Sequence, residues 1–360
     1  MLVGEKKEGT VSTALLFLST SEALSEILSL DQSARKEIDE VSETYPFRIP
    51  QFYADLMEKD NPSCPLMLQA VPSAMELRRG GSPDPLAEGG IQITPALIKR
   101  YPKRAVFLVS SECAMYCRFC NRKRAVGKGH AWEESVEETL RYLDNDREIS
   151  EVILSGGDPL MLPPAHLAYI LDRLRSNRHI HVIRISTRLP VVFPEGIRQE
   201  HFAAIRKHAP IWVITHTNHP RELTPEFGDT VAGLREAGAV LISQTVLLRG
   251  INDCPQILSE LFERLVCLGV KPYYLFQLDD VQGAQHFKVK VSVGMALMRE
   301  LRMSLSGLCI PQYALDITGG LGKVPLEHKY VRKRAGKRLV VENPAGERGI
   351  YLDDGGDPER

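Results

Sequence analysis

The chain has 360 residues, of which 43% are hydrophobic and 25% are charged, and its formal net charge is -1. This composition is typical of a globular protein with one large domain or two small ones, and the near-zero charge disfavours nucleic acid as a partner. No apolar run reaches the roughly 18–20 residues of a membrane helix, and the first ten residues lack the basic-then-apolar pattern of a signal peptide. We therefore expect a cytoplasmic protein that does not bind a membrane.

The first 95 residues are predicted to form an N-terminal extension of helices and loops. Apolar residues recur with helical spacing over residues 22–30, and a similar pattern begins at residue 52 and continues to residue 57. Asn61-Pro62 interrupts that second pattern, and the composition of residues 80–90 is that of a loop.

From residue 105 onward, short β-rich runs alternate with amphipathic stretches. The predicted strands are 105–109, 151–154, 182–186, 211–215, 240–247 and 273–277. The predicted helices are 132–143, 164–174, 199–208, 229–237, 255–268 and 293–305. This rhythm favours a parallel sheet with right-handed crossovers, and six repeats fall short of the eight of a complete barrel. We predict an α/β fold with an incomplete (βα)6 barrel over residues 96–326; an open doubly wound sheet is the alternative.

Residues 327–360 are predicted to form a C-terminal tail. The tail is basic at first and then suggests a hairpin, with strands over 338–342 and 349–352 around Asn343-Pro344-Ala345-Gly346. Its last eight residues, DDGGDPER, are expected to be disordered.

Three of the seven cysteines, Cys113, Cys117 and Cys120, lie within eight residues directly after the first predicted strand. The other four are scattered, which does not suit a disulfide scaffold, and we expect them to be small buried side chains. Three thiolates on one loop can hold three irons of a [4Fe-4S] cluster and leave the fourth iron open to a small molecule. A zinc site is the alternative, but zinc usually takes four nitrogen or sulfur ligands and no second cysteine pair exists.

The C-x3-C-x2-C spacing resembles that of the radical S-adenosylmethionine superfamily. The resemblance implies that the open iron binds S-adenosylmethionine and that Phe119 contacts its adenine. The second predicted strand ends in Ser155-Gly156-Gly157-Asp158, which is similar to the stretch that holds the methionyl amino group in this superfamily. Its glycines permit close backbone approach and Asp158 can accept from an ammonium group, although such a string is more often an ordinary turn.

A glycine-rich loop, Gly319-Gly320-Leu321-Gly322-Lys323, has three interpretations. It does not match the phosphate-binding P-loop, because Val324 follows the lysine. The lysine could instead form a Schiff base with pyridoxal phosphate. Taken alone, a turn with a surface lysine is the commonest meaning of such a sequence.

Together these motifs resemble the lysine 2,3-aminomutase family. The segments that carry the resemblance are NPSCPLMLQAVPSAMEL, IKRYPKRAVFLVSSECAMYCRFCNRKRAVG, ILSGGDPLML, STRLPVVFP, HTNHPREL, SQTVLLRGINDC, PYYLFQLDDVQGAQHF and LDITGGLGKVPL. The resemblance implies an isomerase that depends on S-adenosylmethionine and pyridoxal 5′-phosphate and converts L-lysine into β-lysine. It also implies an amino-acid substrate and an electron donor such as flavodoxin or ferredoxin, and it is compatible with a homo-oligomer.

The resemblance assigns four residues to pyridoxal phosphate. Lys323 matches the catalytic lysine that holds this cofactor as a Schiff base. Tyr101 matches an aromatic residue at the pyridoxal ring, and Arg100 and Arg104 match basic residues around the phosphate and the ring substituents. Guanidinium groups suit phosphate, although the basic run could also be a solvated loop.

Three further residues match positions around S-adenosylmethionine and the substrate. Arg188 and Gln244 match positions near S-adenosylmethionine. Arg122 matches the residue that pairs with the substrate α-carboxylate, whereas its neighbours Lys123 and Arg124 are interpreted as surface charge.

Two acidic residues are predicted to select the substrate. In lysine-acting relatives a pair of carboxylates at the positions of Asp279 and Asp316 binds the ε-ammonium group. Two acids that share a site repel each other unless a cation lies between them, and the lysine side chain supplies that cation. A glutamate-acting enzyme would need a neutral or positive group here, and the direction of the adjacent Asp280 is not set by the sequence.

Two departures from the family pattern stand out. The lysine loop reads TGGLGK where typical members read close to PGGGGK, and the tail has no cysteine after Cys309, so a metal-bridged subunit contact is not expected there. The functional alternatives are a family member that makes β-lysine for modification of elongation factor P, an aminomutase for another amino acid, and a non-catalytic iron–sulfur sensor.

Overall fold

The computed structural model describes residues 17–129 and 132–353. Within these ranges no helix is long and apolar enough to cross a membrane. The predictions for the first ten residues and for all but the first of the last eight residues lie outside the described part of the chain.

The N-terminal region contains a two-stranded antiparallel sheet and four short helices. The strands are β1 (Phe17–Leu18) and β2 (Ile49–Pro50), and the helices are α1 (Ser21–Ser25), α2 (Gln32–Thr44), α3 (Gln51–Asp55) and α4 (Pro65–Ala70). The helix predicted over residues 22–30 is too long, because α1 ends at Ser25. A new helix begins after Asp31, whose carboxylate accepts a hydrogen bond from the Ala34 N–H (2.7 Å) and so caps α2.

The central sheet has ten strands whose spatial order is their order in the chain. These strands are β3 (Gln92–Thr94), β4 (Leu97–Tyr101), β5 (Arg104–Ser110), β6 (Glu151–Gly156), β7 (Val182–Thr187), β8 (Ile211–His216), β9 (Ala239–Leu247), β10 (Lys271–Gln277), β11 (Gln312–Ile317) and β12 (Gly322–Pro325). Strands β5 to β11 are parallel, and β3, β4 and β12 extend the two edges in antiparallel pairing.

This strand order decides between the two predicted folds. A doubly wound sheet reverses its strand order at a switch point, whereas a barrel wall adds each strand beside the previous one. The observed order never reverses, so the incomplete barrel is confirmed and the doubly wound alternative is wrong. All six predicted strands are present. The seventh parallel strand, β11, was not among them, because no helix separates it from β12 and it therefore falls outside the strand–helix rhythm.

Helices connect the parallel strands. They are α5 (Val136–Asn145), α6 (Pro164–Ser176), α7 (Leu189–Val192), α8 (Gln199–Lys207), α9 (Pro225–Glu236), α10 (Pro255–Cys267) and α11 (Val291–Ser304). Three of them begin with proline, which suits the first turn because its N–H group would have no helical partner there. The buried residues of α6 are Leu167, Ile170, Leu171 and Leu174, a helical spacing that packs one face into the core.

A separate three-stranded sheet follows the barrel. Its strands are β13 (Val331–Ala335), β14 (Arg338–Glu342) and β15 (Arg348–Leu352). The predicted hairpin is therefore present as β14 and β15, and β13 adds a strand that the sequence analysis did not include.

Candidate active site

Alternation of side chains along the parallel strands creates two adjoining cavities. In β6, Val152 and Leu154 join the hydrophobic core, while Ile153 and Ser155 line the cavities. The large cavity has a volume of about 360 Å³ and the small cavity about 200 Å³. The residues that line both are Val106, Arg122, Ile153, Ser186, Gln244, Phe276, Asp316 and Lys323.

The cysteine loop follows β5 and faces the large cavity. Cys113, Cys117 and Cys120 all line this cavity, and none forms a disulfide. Burial raises the pKa of Cys113 and that of Cys120, the latter to about 11, so binding of iron has to displace the thiol protons. Among the described residues, no group of three His, Cys, Asp or Glu side chains is arranged to hold a single metal ion. A cluster in which each thiolate binds a different iron does not require such a compact group.

The Gly156-Gly157-Asp158 segment binds the start of the cysteine loop. The Gly157 N–H donates to the Ser110 carbonyl (2.5 Å) and the Asp158 N–H donates to the Glu112 carbonyl (2.8 Å). A Cβ atom at Gly157 would lie 2.3 Å from the Glu112 carbonyl oxygen, so a larger residue does not fit. The sequence predicted that these glycines allow close approach of a ligand. In the structure they allow close approach of the backbone of the cysteine loop.

The Asp158 carboxylate is already saturated with hydrogen bonds from the protein. Oδ1 accepts from the Leu160 N–H (3.0 Å) and the Thr187 hydroxyl (2.7 Å), and Oδ2 accepts from the N–H groups of Arg188 (2.7 Å) and Leu189 (3.0 Å). Asp158 therefore joins the ends of β6 and β7, although it also lines the large cavity.

Arg188 is anchored in a buried polar network beside the cysteine loop. Its Nη1 donates to Cys117 Sγ (2.8 Å), and its Nη2 donates to Gln69 Oε1 and Glu222 Oε1 (2.7 Å each). Burial alone would lower the pKa of this arginine, but Cys117 and Glu222 raise it, so the side chain is a fixed cation. Tyr53 donates to the same Glu222 oxygen (2.8 Å). Nothing in the local sequence of Gln69, Glu222 and Tyr53 marks them as partners of the arginine that follows β7, so these three residues were not predicted.

Aromatic and neutral groups complete the wall of the large cavity. The Phe119 ring is buried and meets His216 edge-on, with 5.5 Å between ring centroids. Burial, followed by the charge of Arg188, lowers the pKa of His216 to about 3, so this histidine is neutral. Gln244, from β9, lines both cavities.

The small cavity collects the residues predicted to hold pyridoxal phosphate. The Lys323 N–H donates to the Tyr101 hydroxyl (2.9 Å), and the Arg104 guanidinium lies over the Tyr101 ring (4.3 Å). Arg100 Nη2 donates to the Leu86 carbonyl (2.6 Å), while its buried Nε has no hydrogen-bond partner within the described ranges. A buried N–H without a partner and a second guanidinium on the same cavity fit a phosphate group.

Lys323 lies opposite Asp316 in the pairing of β11 with β12. Its Nζ is 2.5 Å from Asp316 Oδ2 and lies over the Phe276 ring at 3.9 Å. Thr318 and Leu321 are the two positions at which TGGLGK differs from the usual PGGGGK loop. Leu321 is 77% exposed, and Thr318 is also exposed. Both substituted side chains therefore lie on the surface of the loop.

Asp279 is the second acid of the predicted pair and lines the large cavity with Asp316. Burial, and then the charge of Asp316, raise the pKa of Asp279 to about 6. Asn121, which directly follows Cys120, donates to Asp279 Oδ2 (3.0 Å). Asp280 pairs instead with Lys288 Nζ (2.5 Å) and is not part of either cavity wall.

Arg122 lines both cavities and is held by a carboxylate that the sequence analysis did not identify. Its Nη2 donates to Glu88 Oε1 (2.7 Å) and its Nη1 donates to the Ser155 hydroxyl (3.1 Å). The interpretation of Lys123 as surface charge was wrong. The residue is only 9% exposed, and its Nζ donates to Glu76 Oε2 (2.5 Å), because the buried Glu76 carboxylate needs cationic partners.

The remaining cysteines divide between the core and the surface. Cys64 and Cys309 are buried as expected, Cys254 is half-buried, and Cys267 is exposed, so the prediction was wrong for Cys267.

All the predicted site residues line at least one of the two cavities. They are Arg100, Tyr101, Arg104, Cys113, Cys117, Phe119, Cys120, Arg122, Gly156, Gly157, Asp158, Arg188, Gln244, Asp279, Asp316 and Lys323.

Comparison with known proteins identifies the class to which the fold and the cysteine loop belong. Residues 107–257 match the Radical SAM superfamily. The protein is a radical S-adenosylmethionine enzyme, a class that uses a [4Fe-4S] cluster. The site fits these groups, because three unpaired cysteines line one cavity and the buried Nε of Arg188 has no hydrogen-bond partner in the part of the chain that the structure describes.

Curated relatives identify the family. The chain is 39% identical to an Aquifex aeolicus protein provisionally named L-lysine 2,3-aminomutase, over 92% of this chain and 90% of the relative. It is 36% identical to the L-lysine 2,3-aminomutase of Acetoanaerobium sticklandii, over 91% and 80% of the two chains. It is also 34% identical to the glutamate 2,3-aminomutase of Clostridioides difficile, over 86% and 74%. The chain belongs to the lysine 2,3-aminomutase family, a group of isomerases. Because relatives with different substrates match at similar identity, the substrate has to be argued from the site.

Proposed function

We propose that the protein is a pyridoxal phosphate-dependent radical aminomutase that converts L-lysine into β-lysine. The observation that carries this proposal is the meeting of the two cavities at Arg122, Asp316 and Lys323. One cavity contains the three cysteines and the other contains the residues suited to a phosphate. A substrate held where the cavities meet is in reach of both.

The chain's own residues suit pyridoxal phosphate in three ways. Arg100 and Arg104 would hold the phosphate, and Tyr101, which accepts from the Lys323 N–H, would lie at the ring. Lys323 would bind the cofactor covalently. When bound, pyridoxal phosphate supplies an electron sink, and the cluster with S-adenosylmethionine supplies the radical that removes hydrogen. The protein positions the reacting groups and excludes water.

The charges in the cavities support lysine over glutamate as the substrate. Arg122 would bind the α-carboxylate, and Asp279 and Asp316 would bind the ε-ammonium. Burial and the neighbouring carboxylate already make ionisation of Asp279 unfavourable, and a cation between the two acids would relieve this repulsion. The side-chain carboxylate of glutamate would add a third negative charge at the same place. We further propose a cytoplasmic enzyme that takes electrons from flavodoxin or ferredoxin and can assemble as a homo-oligomer.

The proposal is tested by anaerobic reconstitution with iron, sulfide and pyridoxal phosphate, followed by incubation with S-adenosylmethionine and a reductant. L-Lysine, L-glutamate and other amino acids are offered separately, and the products are separated by chiral chromatography. We expect β-lysine from L-lysine and no β-glutamate. Turnover of glutamate in preference to lysine would contradict the substrate assignment. A protein that binds the cluster but isomerises no amino acid would favour the sensor alternative.

A further inference from the structure

Glu88 is a buried carboxylate with no role in the function proposed so far. It is 5% exposed and lines the small cavity. Both of its oxygens accept from Arg122 Nε (3.2 and 3.1 Å), and Oε1 also accepts from Arg122 Nη2 (2.7 Å). Arg124 Nη2 donates to Oε2 (3.1 Å). The carboxylate therefore covers one complete edge of the Arg122 guanidinium.

The loop that carries Glu88 is fixed by hydrogen bonds to several loops of the site. The Ser82 N–H donates to the Asp280 carbonyl (2.7 Å), and the Gly319 N–H of the lysine loop donates to the Pro85 carbonyl (2.9 Å). The preceding residue, Ala87, has a φ of 47°, a left-handed conformation that is unfavourable for alanine and is held by its surroundings. Glu88 is thus presented to Arg122 in a defined position.

Arg122 retains N–H donors for a second carboxylate. A guanidinium has five N–H donors in a rigid plane. Glu88 takes the Nε donor and one Nη2 donor, and the Ser155 hydroxyl takes one Nη1 donor. One donor then remains on each of the two terminal nitrogens, and such a pair can bind a carboxylate with two parallel hydrogen bonds.

We propose that Glu88 is a positioning residue that fixes the Arg122 guanidinium so that its terminal nitrogens meet the α-carboxylate of the substrate. The inference rests on the proposed function in that it takes Arg122 as the carboxylate-binding residue. It adds a residue that acts through Arg122.

The test compares Glu88→Gln with Asp84→Asn, a matched change in the same loop. Asp84 pairs with Arg124 Nη2 (3.1 Å) and accepts from the Gly89 N–H (3.1 Å). Dissociation constants for L-lysine and for L-lysinamide, which lacks the carboxylate, are measured from the visible absorbance of the pyridoxal phosphate-loaded proteins without S-adenosylmethionine. Loss of a charged hydrogen-bond partner lowers affinity by about 10–150-fold, and we expect Glu88→Gln to weaken the binding of L-lysine within this range. The affinity for L-lysinamide should change little, and Asp84→Asn should leave both affinities unchanged.

Any of three results with these two variants would overturn the proposal. Glu88→Gln could weaken L-lysine and L-lysinamide equally, as expected of a purely structural role, or weaken neither. Asp84→Asn could reproduce the carboxylate-selective loss. If Glu88→Gln does not bind pyridoxal phosphate, Glu88→Asp replaces it; this variant keeps the charge but shortens the side chain that holds Arg122, and the absence of any L-lysine-selective weakening would then refute the idea. If the wild-type protein binds another amino acid in place of lysine, the lysine assignment fails, and the same selective loss is expected with that amino acid and its amide.

Discussion

Replacement of Asp279 by asparagine should remove most of the preference for a positively charged side chain. Asp279 lies on the large cavity with Asp316, and its pKa is about 6 because of burial and then the charge of Asp316. A charge-assisted hydrogen bond to the lysine ε-ammonium contributes about 1.5–3 kcal/mol, or about 10–150-fold in affinity. We expect Asp279→Asn to weaken the binding of L-lysine within this range. The affinity for L-norleucine, which lacks the ε-ammonium group, should stay nearly unchanged.

The pH dependence of binding follows from the same carboxyl group. The ammonium of lysine favours ionised Asp279, so below a pH of about 6 the binding of lysine has to release a proton from this residue. Affinity should then fall by up to about tenfold for each further pH unit, which gives a break in the plot of affinity against pH near pH 6. In Asp316→Asn a negative neighbour is lost, the pKa of Asp279 falls, and the break should move to lower pH. In Asp279→Asn the break should disappear.

The assay is titration of the pyridoxal phosphate-loaded protein with L-lysine and L-norleucine between pH 5 and pH 8. The ratio of the two dissociation constants isolates the contribution of the ε-ammonium group to binding, because the α-amino group ionises in both ligands. Asp280→Asn is the matched control, since Asp280 pairs with Lys288 and does not line the cavities. A break that persists in Asp279→Asn, or that moves to higher pH in Asp316→Asn, would refute the reasoning.

Three further outcomes test the cofactor sites. The anaerobically purified protein should contain about four irons per chain, and alanine at any of the three loop cysteines should abolish cleavage of S-adenosylmethionine; a triple variant that kept a normal cluster would contradict the cluster assignment. Borohydride reduction with pyridoxal phosphate should label Lys323 in peptide mapping, and a label on a different lysine would exclude it. Gly157→Ala should lower iron content, because the new Cβ atom would lie 2.3 Å from the Glu112 carbonyl oxygen, whereas Gly307→Ala, with open space around it, should retain the iron of the wild type.

Six of the seven parallel strands in the described part of the chain could be predicted, because each is a short apolar run flanked by turn residues on both sides. Their arrangement as an incomplete barrel was predicted from the number of repeats and is confirmed, but the strand–helix rhythm alone does not exclude a doubly wound sheet, because both folds share it. Only the pairing of strands in chain order distinguishes them. The strand–helix alternation does not predict β11, because this strand pairs in parallel with β10 but is followed by a tight loop and not by a helix.

The site residues predicted from sequence share one property, since each lies in or beside a motif with its own local signal. Their partners lack such a signal. Glu222 binds Arg188 and Glu88 binds Arg122, and in each case the contact joins residues 34 positions apart that only the folded chain brings together. Asp158 was predicted as a site residue, but its hydrogen bonds were not, because its carboxylate accepts from backbone N–H groups that directly follow the next strand, β7.

The N-terminal region contributes charges that the barrel requires. The buried Glu76 carboxylate binds Arg118 of the cysteine loop through Nε (2.9 Å) and Nη2 (2.7 Å), and Glu88 binds Arg122. Removal of one partner from a buried ion pair typically costs about 3–5 kcal/mol, because the other charge remains without compensation. A fragment that begins at residue 96 would lack both glutamates and leave the two arginines uncompensated next to the cluster-binding cysteines. We therefore expect the boundary predicted near residue 95 to separate two kinds of secondary structure within one cooperative unit, and the cysteine loop to keep its shape only when both parts are present.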